Sequence, residues 1–136
     1  MHQETITHLT EGLAALDLFP ESPARAQQEL TLRLALGAPL IASKGHASPE
    51  VEQTYARARE LCRLLGKTPQ LFPVLWGLAV NATVRGELRL AREVSEHLLQ
   101  RAQTLQDTAL QLEAYLLSGA LALWLGEVEE GRVQLE

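Results

Sequence analysis

"GHASPEVEQTYARARELCRLLG", residues 45–66, carries its own start and stop signals. Ser48 is a helix N-cap, and Pro49 follows at the first helical position, where its missing N–H is harmless. Glu50 and Glu52 put negative charge in the first turn, against the positive end of the helix dipole. Gly66 stops the run. What lies between is an amphipathic helix, and the same punctuation recurs along the chain.

Upstream, "FPESPARAQQELTLRLALG" (19–37) offers Ser22 as cap and Pro23 as first helical residue. Downstream, "KTPQLFPVLWGLAVNATVRG" (67–86) begins with Thr68-Pro69 and ends at Gly86, and "QDTALQLEAYLLSGALALWLG" (106–126) begins with Asp107 and ends at Gly126. Between them, Leu88, Ala91, Leu98, Ala102 and Leu105 fall at helical spacings. At the start of the chain Ile6, Leu9, Leu13 and Leu16 form one stripe that ends at Phe19-Pro20. The spacing predicts helices over 2–18, 23–43, 49–65, 69–85, 87–106 and 108–125, with another starting near 127. No stretch alternates with period two over a strand's length. The expected fold is all-α.

Composition agrees. The 136 residues are 46% apolar and 21% charged, enough for one domain with a core of its own. Leu and Ala dominate the apolar set, while β-branched and aromatic residues are few. Twelve basic residues against seventeen acidic give a net charge of −5, which argues against phosphate-dominated nucleic-acid binding. Arg57, Arg59 and Arg63 fall near one another on the third helix, but Glu52 and Glu60 balance them as on an ordinary solvated face. Cys62 is the one cysteine, so no disulfide within the chain can form. The N-terminus lacks the pattern of a signal peptide, and charged or amide residues interrupt every apolar run before membrane-spanning length. A cytoplasmic location is expected.

Repetition is the stronger signal. Arg85-Gly86-Glu87-Leu88 and Leu125-Gly126-Glu127-Val128 stand 40 residues apart, and Lys44-Gly45-His46 lies 41 before the first of them. Ala38, Ala79 and Gly119 each precede their turn glycine by the same distance, an expected column of close helix approach. Antiparallel helix pairs at a period of about 40 describe an α-solenoid. The units expected are about 23–66, 68–106 and 108–136, with 2–18 left from a preceding unit and the last unit truncated. Residues 1–136 then form a single helical-repeat domain.

The letters Ala79, Gly86-Glu87-Leu88 and Ala91, and again Tyr115, Gly119, Gly126-Glu127-Val128 and Gly131, resemble the tetratricopeptide pattern. The period is longer than that repeat's ~34 residues, so the units resemble a divergent, long-armed version. Residues 29–78 are similar to the helical repeat region of large bacterial signalling proteins that carry a STAND-type predicted ATPase. In those proteins the ATPase is often fused to an adenylate/guanylate cyclase, a kinase or a LuxR-type DNA-binding domain. The resemblance extends over residues 5–136 and concerns the repeat segment alone.

Sites of chemistry are sparse. Gly66-Lys67-Thr68 spells the end of a phosphate loop, but that motif needs a glycine five positions earlier, where Leu61 stands, and a strand rather than a helix before it. His2, His8, His46 and His97 are scattered, so no metal site is expected. Glu93 with His97, and Glu4 with His8, are expected as exposed i,i+4 pairs. Cys62 has no histidine nearby in sequence and is expected as a structural thiol. Glu129 and Glu130 complement a helix dipole. No catalytic residue and no cofactor are expected.

Partner binding remains. In tetratricopeptide-like arrays the first helix of each unit lines the concave face. Trp76, Val80, Asn81 and Thr83 on one such helix, and Leu116, Ala120 and Trp124 on the next, are the candidate partner-binding residues. Trp is enriched among interface anchors, although packing between helices is the competing role for both tryptophans. At "GEVEEGRVQLE" (126–136), Val128, Val133 and Leu135 would lack a covering unit, which predicts a fragment of a longer array or a self-associating end. The expected function is a non-enzymatic interaction or sensor module of a larger signalling protein, meeting a protein or peptide partner or other domains of its parent. Alternatives are a homo-oligomerising scaffold and a small helical ligand-binding or enzymatic domain.

Overall fold

The computed structural model describes residues 2–66 and 69–135, with side chains described through residue 120 and at Leu123. Six helices follow one another: α1 (His2–Leu16), α2 (Pro23–Lys44), α3 (Pro49–Leu65), α4 (Leu71–Arg85), α5 (Leu88–Leu105) and α6 (Thr108–Leu135). The described residues contain no strand.

Local chemistry sets most of these boundaries. Ser22 Oγ accepts from the Arg25 N–H at 3.1 Å, and Ser48 Oγ accepts from the Val51 N–H at 3.2 Å. Asp107 Oδ1 caps α6 by accepting from the N–H groups of Ala109 and Leu110 at 3.0 and 3.2 Å. Gly86 ends α4 in the left-handed region at φ 79°, which glycine reaches without a Cβ clash. There the Gly86 N–H donates to Thr83 O at 3.1 Å and the Glu87 N–H to Ala82 O at 2.9 Å, satisfying carbonyls the helix end would orphan. Gln106 closes α5 in the same region, at φ 54°.

Each helix packs on the next, from α1 on α2 through α5 on α6. The links are short, which makes successive helices antiparallel neighbours. One continuous core draws on α2 (Leu30, Leu36, Leu40), α3 (Val51, Tyr55, Ala58, Leu61, Cys62), α4 (Phe72, Val74, Leu75, Leu78, Ala79) and α5 (Val94, Leu98, Ala102). On α3 the buried positions include Val51, Thr54, Tyr55, Ala58 and Cys62, and on α5 they are Ala91, Val94, Ser95, Leu98 and Ala102. Each α5 residue stands 40 places after its α3 counterpart, as Ala91 does after Val51 and Ala102 after Cys62.

Tyr55 is the wedge of this core. Its ring lies against Gly37 of α2 on one side and Gly77 of α4 on the other. A Cβ at Gly37 would come within 2.8 Å of Tyr55 Cζ, and one at Gly77 within 2.7 Å of Cδ1. Both glycines are therefore notches for one side chain from the helix between them. Asn81, also on α4, is buried and donates from Nδ2 to the His46 carbonyl, tying α4 to the link between α2 and α3.

Several expectations are corrected. α1 stops at Leu16, and Asp17, Leu18 and Phe19 continue as turns. α4 begins at Leu71 rather than Pro69, while Lys67 and Thr68 lie outside the described residues. α6 runs through Gly126 to Leu135, so no separate helix starts near 127. An interior glycine costs a helix only about 1 kcal/mol and does not end it unaided. At Gly86 the local letters are much the same, and α5 packing back on α4 selects the turn. In the small-residue column only Ala79 is buried; Ala38 and Gly119 are exposed, and the close approaches occur at Gly37 and Gly77 instead.

The charged pairs also differ. Arg57 bonds to Glu29 of α2, Arg59 to Glu93 of α5, and Glu52 pairs with Arg85 of α4. Only Arg63 keeps a partner on its own helix, Glu60. His8 meets Glu11 at 3.9 Å rather than Glu4. Charges read from one helix as a balanced face thus join neighbouring helices.

Candidate functional site

A concavity opens where the start of α4, the end of α5 and the start of α6 converge. Its volume is about 920 Å³. Pro69, Leu71, Phe72, Pro73 and Trp76 form one wall; Arg101 and Leu105 come from α5, and Leu110 and Glu113 from α6. Pro73 is tolerated because it sits in the first turn of α4, where its N–H would have no intrahelical partner. Phe72 is buried and anchors the wall in the core, whereas Trp76 stays 36% exposed. Such a half-exposed indole on a rigid helix keeps apolar area in contact with water that an occupant could remove.

Two charged residues border this apolar space. Glu113 is exposed to water. Arg101 is half-buried, and its Nε is fully buried without a hydrogen-bond partner. Among the described residues no group hydrogen-bonds or ion-pairs with its guanidinium.

The candidate residues from the sequence scatter. Trp76 lines the groove. Val80 is half-buried one turn further along α4, and Thr83 is half-buried with its hydroxyl donating to Ala79 O at 2.7 Å. Asn81 belongs to the interior, as above. Leu116 and Ala120 are exposed on α6, away from the groove lining. The side chains of Trp124, Val128, Val133 and Leu135 lie outside the described residues. Arg101 escaped notice because an arginine on an amphipathic helix is ordinary. Its one signal is the 40-residue register, which sets it opposite Leu61, a core residue 1% exposed.

A smaller depression of about 560 Å³ brings Cys62 and His97 to one place. Arg59 of α3 reaches Glu93 of α5 through a two-point contact, with Nη1 to Oε2 at 3.0 Å, and its Nη2 also lies 3.2 Å from His97 Nδ1. Burial and then the Arg59 charge hold the His97 imidazole below its ordinary value, against the opposing pull of Glu93. The Arg59 hydrogen bond holds Glu93 low in turn. Burial pushes the Cys62 thiol up to about 11, so it is protonated at neutral pH and is not a ready nucleophile. The cluster joins α3 to α5. Among the described residues no group of three His, Cys, Asp or Glu could hold a metal ion. Ahead of Gly66 the chain is helix, and the glycine position of a phosphate loop is taken by buried Leu61.

The chain matches no protein-family model, no curated protein and no solved structure. Among the described residues no helix is long and apolar enough to cross a membrane.

Proposed function

We propose that this chain is an interaction or sensor segment of a larger bacterial signalling protein, without catalysis of its own. It is built as an α-solenoid of divergent tetratricopeptide-like helix pairs. The packing of each helix chiefly on its sequence neighbours and the 40-residue match of buried positions between α3 and α5 support the repeat. The proposed task is to present a helical surface to a protein or peptide, or to another domain of the parent. Occupancy there would bias an effector domain elsewhere in that parent.

The observation that carries the binding function is the open apolar groove with half-exposed Trp76 in its wall. Large aromatic residues at the centre of such concavities are where binding energy concentrates. A photo-crosslinking amino acid placed at position 76 in the native host should trap a defined protein or domain. The same group at exposed Gln53 on α3 should not. Equal trapping at both positions, or none at position 76, would sink the proposal.

A second reading has its own support. On α6, Leu112, Tyr115, Leu116 and Leu123 are each more than half exposed, while Leu110, Ala114 and Leu117 of the same helix pack on the core. An apolar face this continuous suits self-association. Sedimentation of the whole chain separates the two: a monomer at every concentration removes the scaffold reading and leaves the groove untouched.

A further inference from the structure

We infer that the groove between α4, α5 and α6 selects a peptide segment in which an acidic side chain neighbours large apolar ones, with Arg101 as the partner of its carboxylate. This rests on the binding function proposed above and adds the chemistry of the partner.

Arg101 is set apart from the other arginines. Arg25, Arg33, Arg57, Arg59, Arg63 and Arg85 each meet a carboxylate within the fold. Arg89 and Arg92 are exposed to water. Arg101 alone among them has a fully buried nitrogen with no partner, and it stands where the preceding helix pair has Leu61 in its core. Its surroundings in the groove are Leu71, Phe72, Trp76, Leu105 and Leu110. A neutral apolar occupant would strip the remaining water from the guanidinium and return nothing, an unfavourable exchange for a charged group. An occupant bringing a carboxylate would form a charge-assisted bond strengthened by the dry walls. The unpaired arginine therefore acts against the wrong partner as well as for the right one.

The opening of the groove decides for a segment of a larger chain over a small free acid. Small-molecule sites enclose most of their ligand. Here the concavity is open to solvent rather than enclosed, which suits a segment of a larger chain. Exposed Glu113 on the same groove disfavours a run of several acids, so one carboxylate among apolar residues is the preferred pattern.

The test is selection of a phage-displayed heptapeptide library on the immobilised full chain, in parallel on folded Trp76→Ala and Arg101→Gln variants. The wild type should enrich peptides with a single Asp or Glu beside Leu, Phe or Trp. Arg101→Gln should enrich apolar peptides without the acid, and should bind a peptide selected on wild type about ten- to a hundredfold more weakly. Glu113→Gln should tighten that peptide. Trp76-dependent peptides without acidic enrichment, or the same enrichment on Arg101→Gln, would overturn the role of Arg101 and leave the groove standing. No enrichment over Trp76→Ala would overturn the groove as well.

Discussion

The two central helix pairs, α2–α3 and α4–α5, share a 40-residue register of buried positions on their second helices, α3 and α5, and differ in what fills it. In the first pair the buried column holds Tyr55, whose ring occupies notches on both neighbouring helices. At the same place the second pair has Ser95, buried with an unpartnered Oγ. In the first pair Glu29 ties Arg33 and Arg57 together, with Arg57 Nε at 2.8 Å. In the second, the buried Arg101 Nε has no hydrogen-bond partner among the described residues. Among the described residues the two buried side-chain atoms without a hydrogen-bond partner, Ser95 Oγ and Arg101 Nε, both lie on α5 of the second pair. That contrast is the reason the proposed binding function is assigned to the second pair: a group saturated internally contributes to stability, whereas an unsatisfied one can still gain from a partner.

The widest break in the comparison comes from Tyr55→Ala. Emptying a site bounded by two glycines leaves a cavity that backbone alone cannot close, at a cost of about 3–5 kcal/mol in urea unfolding. Next comes Gly77→Ala, which forces a Cβ against the flat of the ring and costs about 1–3 kcal/mol despite the better helix propensity of alanine. Gly37→Ala should fall in the same range, but its clash involves the phenol oxygen and Cζ. Tyr55→Phe should therefore rescue part of Gly37→Ala and none of Gly77→Ala. Equal rescue of both would show that the ring does not sit as a wedge between the two helices.

The sequence told much of this architecture and little of the contrast. Ser22, Ser48, Asp107 and Gly86 were legible because each acts through hydrogen bonds within a few residues of itself. Gly126 misled for the complementary reason: a glycine permits a turn, and only a neighbouring helix can require one. Tyr55 was opaque because its partners lie 18 residues before it and 22 after it, on two different helices. Trp76 could be singled out as a rare aromatic residue. The rest of its groove could not, since Leu105 and Leu110 match ordinary core positions until the ends of three helices are seen to converge.

Smaller effects sharpen the charge side. The Arg57 hydrogen bond, helped by Arg33 and opposed by burial, holds the Glu29 carboxyl below its ordinary 4.5. A carboxylate held low in the folded state contributes in full above its unfolded value, and that contribution is lost as pH falls through the folded one. Wild type should thus lose stability on acidification below about 4.5, and Glu29→Gln should flatten that limb while costing about 1 kcal/mol at neutral pH. Glu93→Gln should do less, because the Glu93 side chain is 54% exposed. The smallest change belongs to Ser95→Ala. Removing a buried hydroxyl that has no partner among the described residues should leave stability within about 1 kcal/mol of wild type, on the stabilising side. A clear loss there would mean that Ser95 has a partner and that the second pair is as closed as the first.

The Tyr55 wedge has a mechanical side. With the ring seated in glycine notches on both flanks, α2 and α4 are keyed to α3, and sliding either along its neighbour drives backbone into the ring. Among the described residues Gly119 of α6 is no such notch, since a side-chain carbon added there would meet only open space. α2, α3 and α4, by contrast, are keyed to one another at a single side chain, so a displacement of one of the three is felt by the other two.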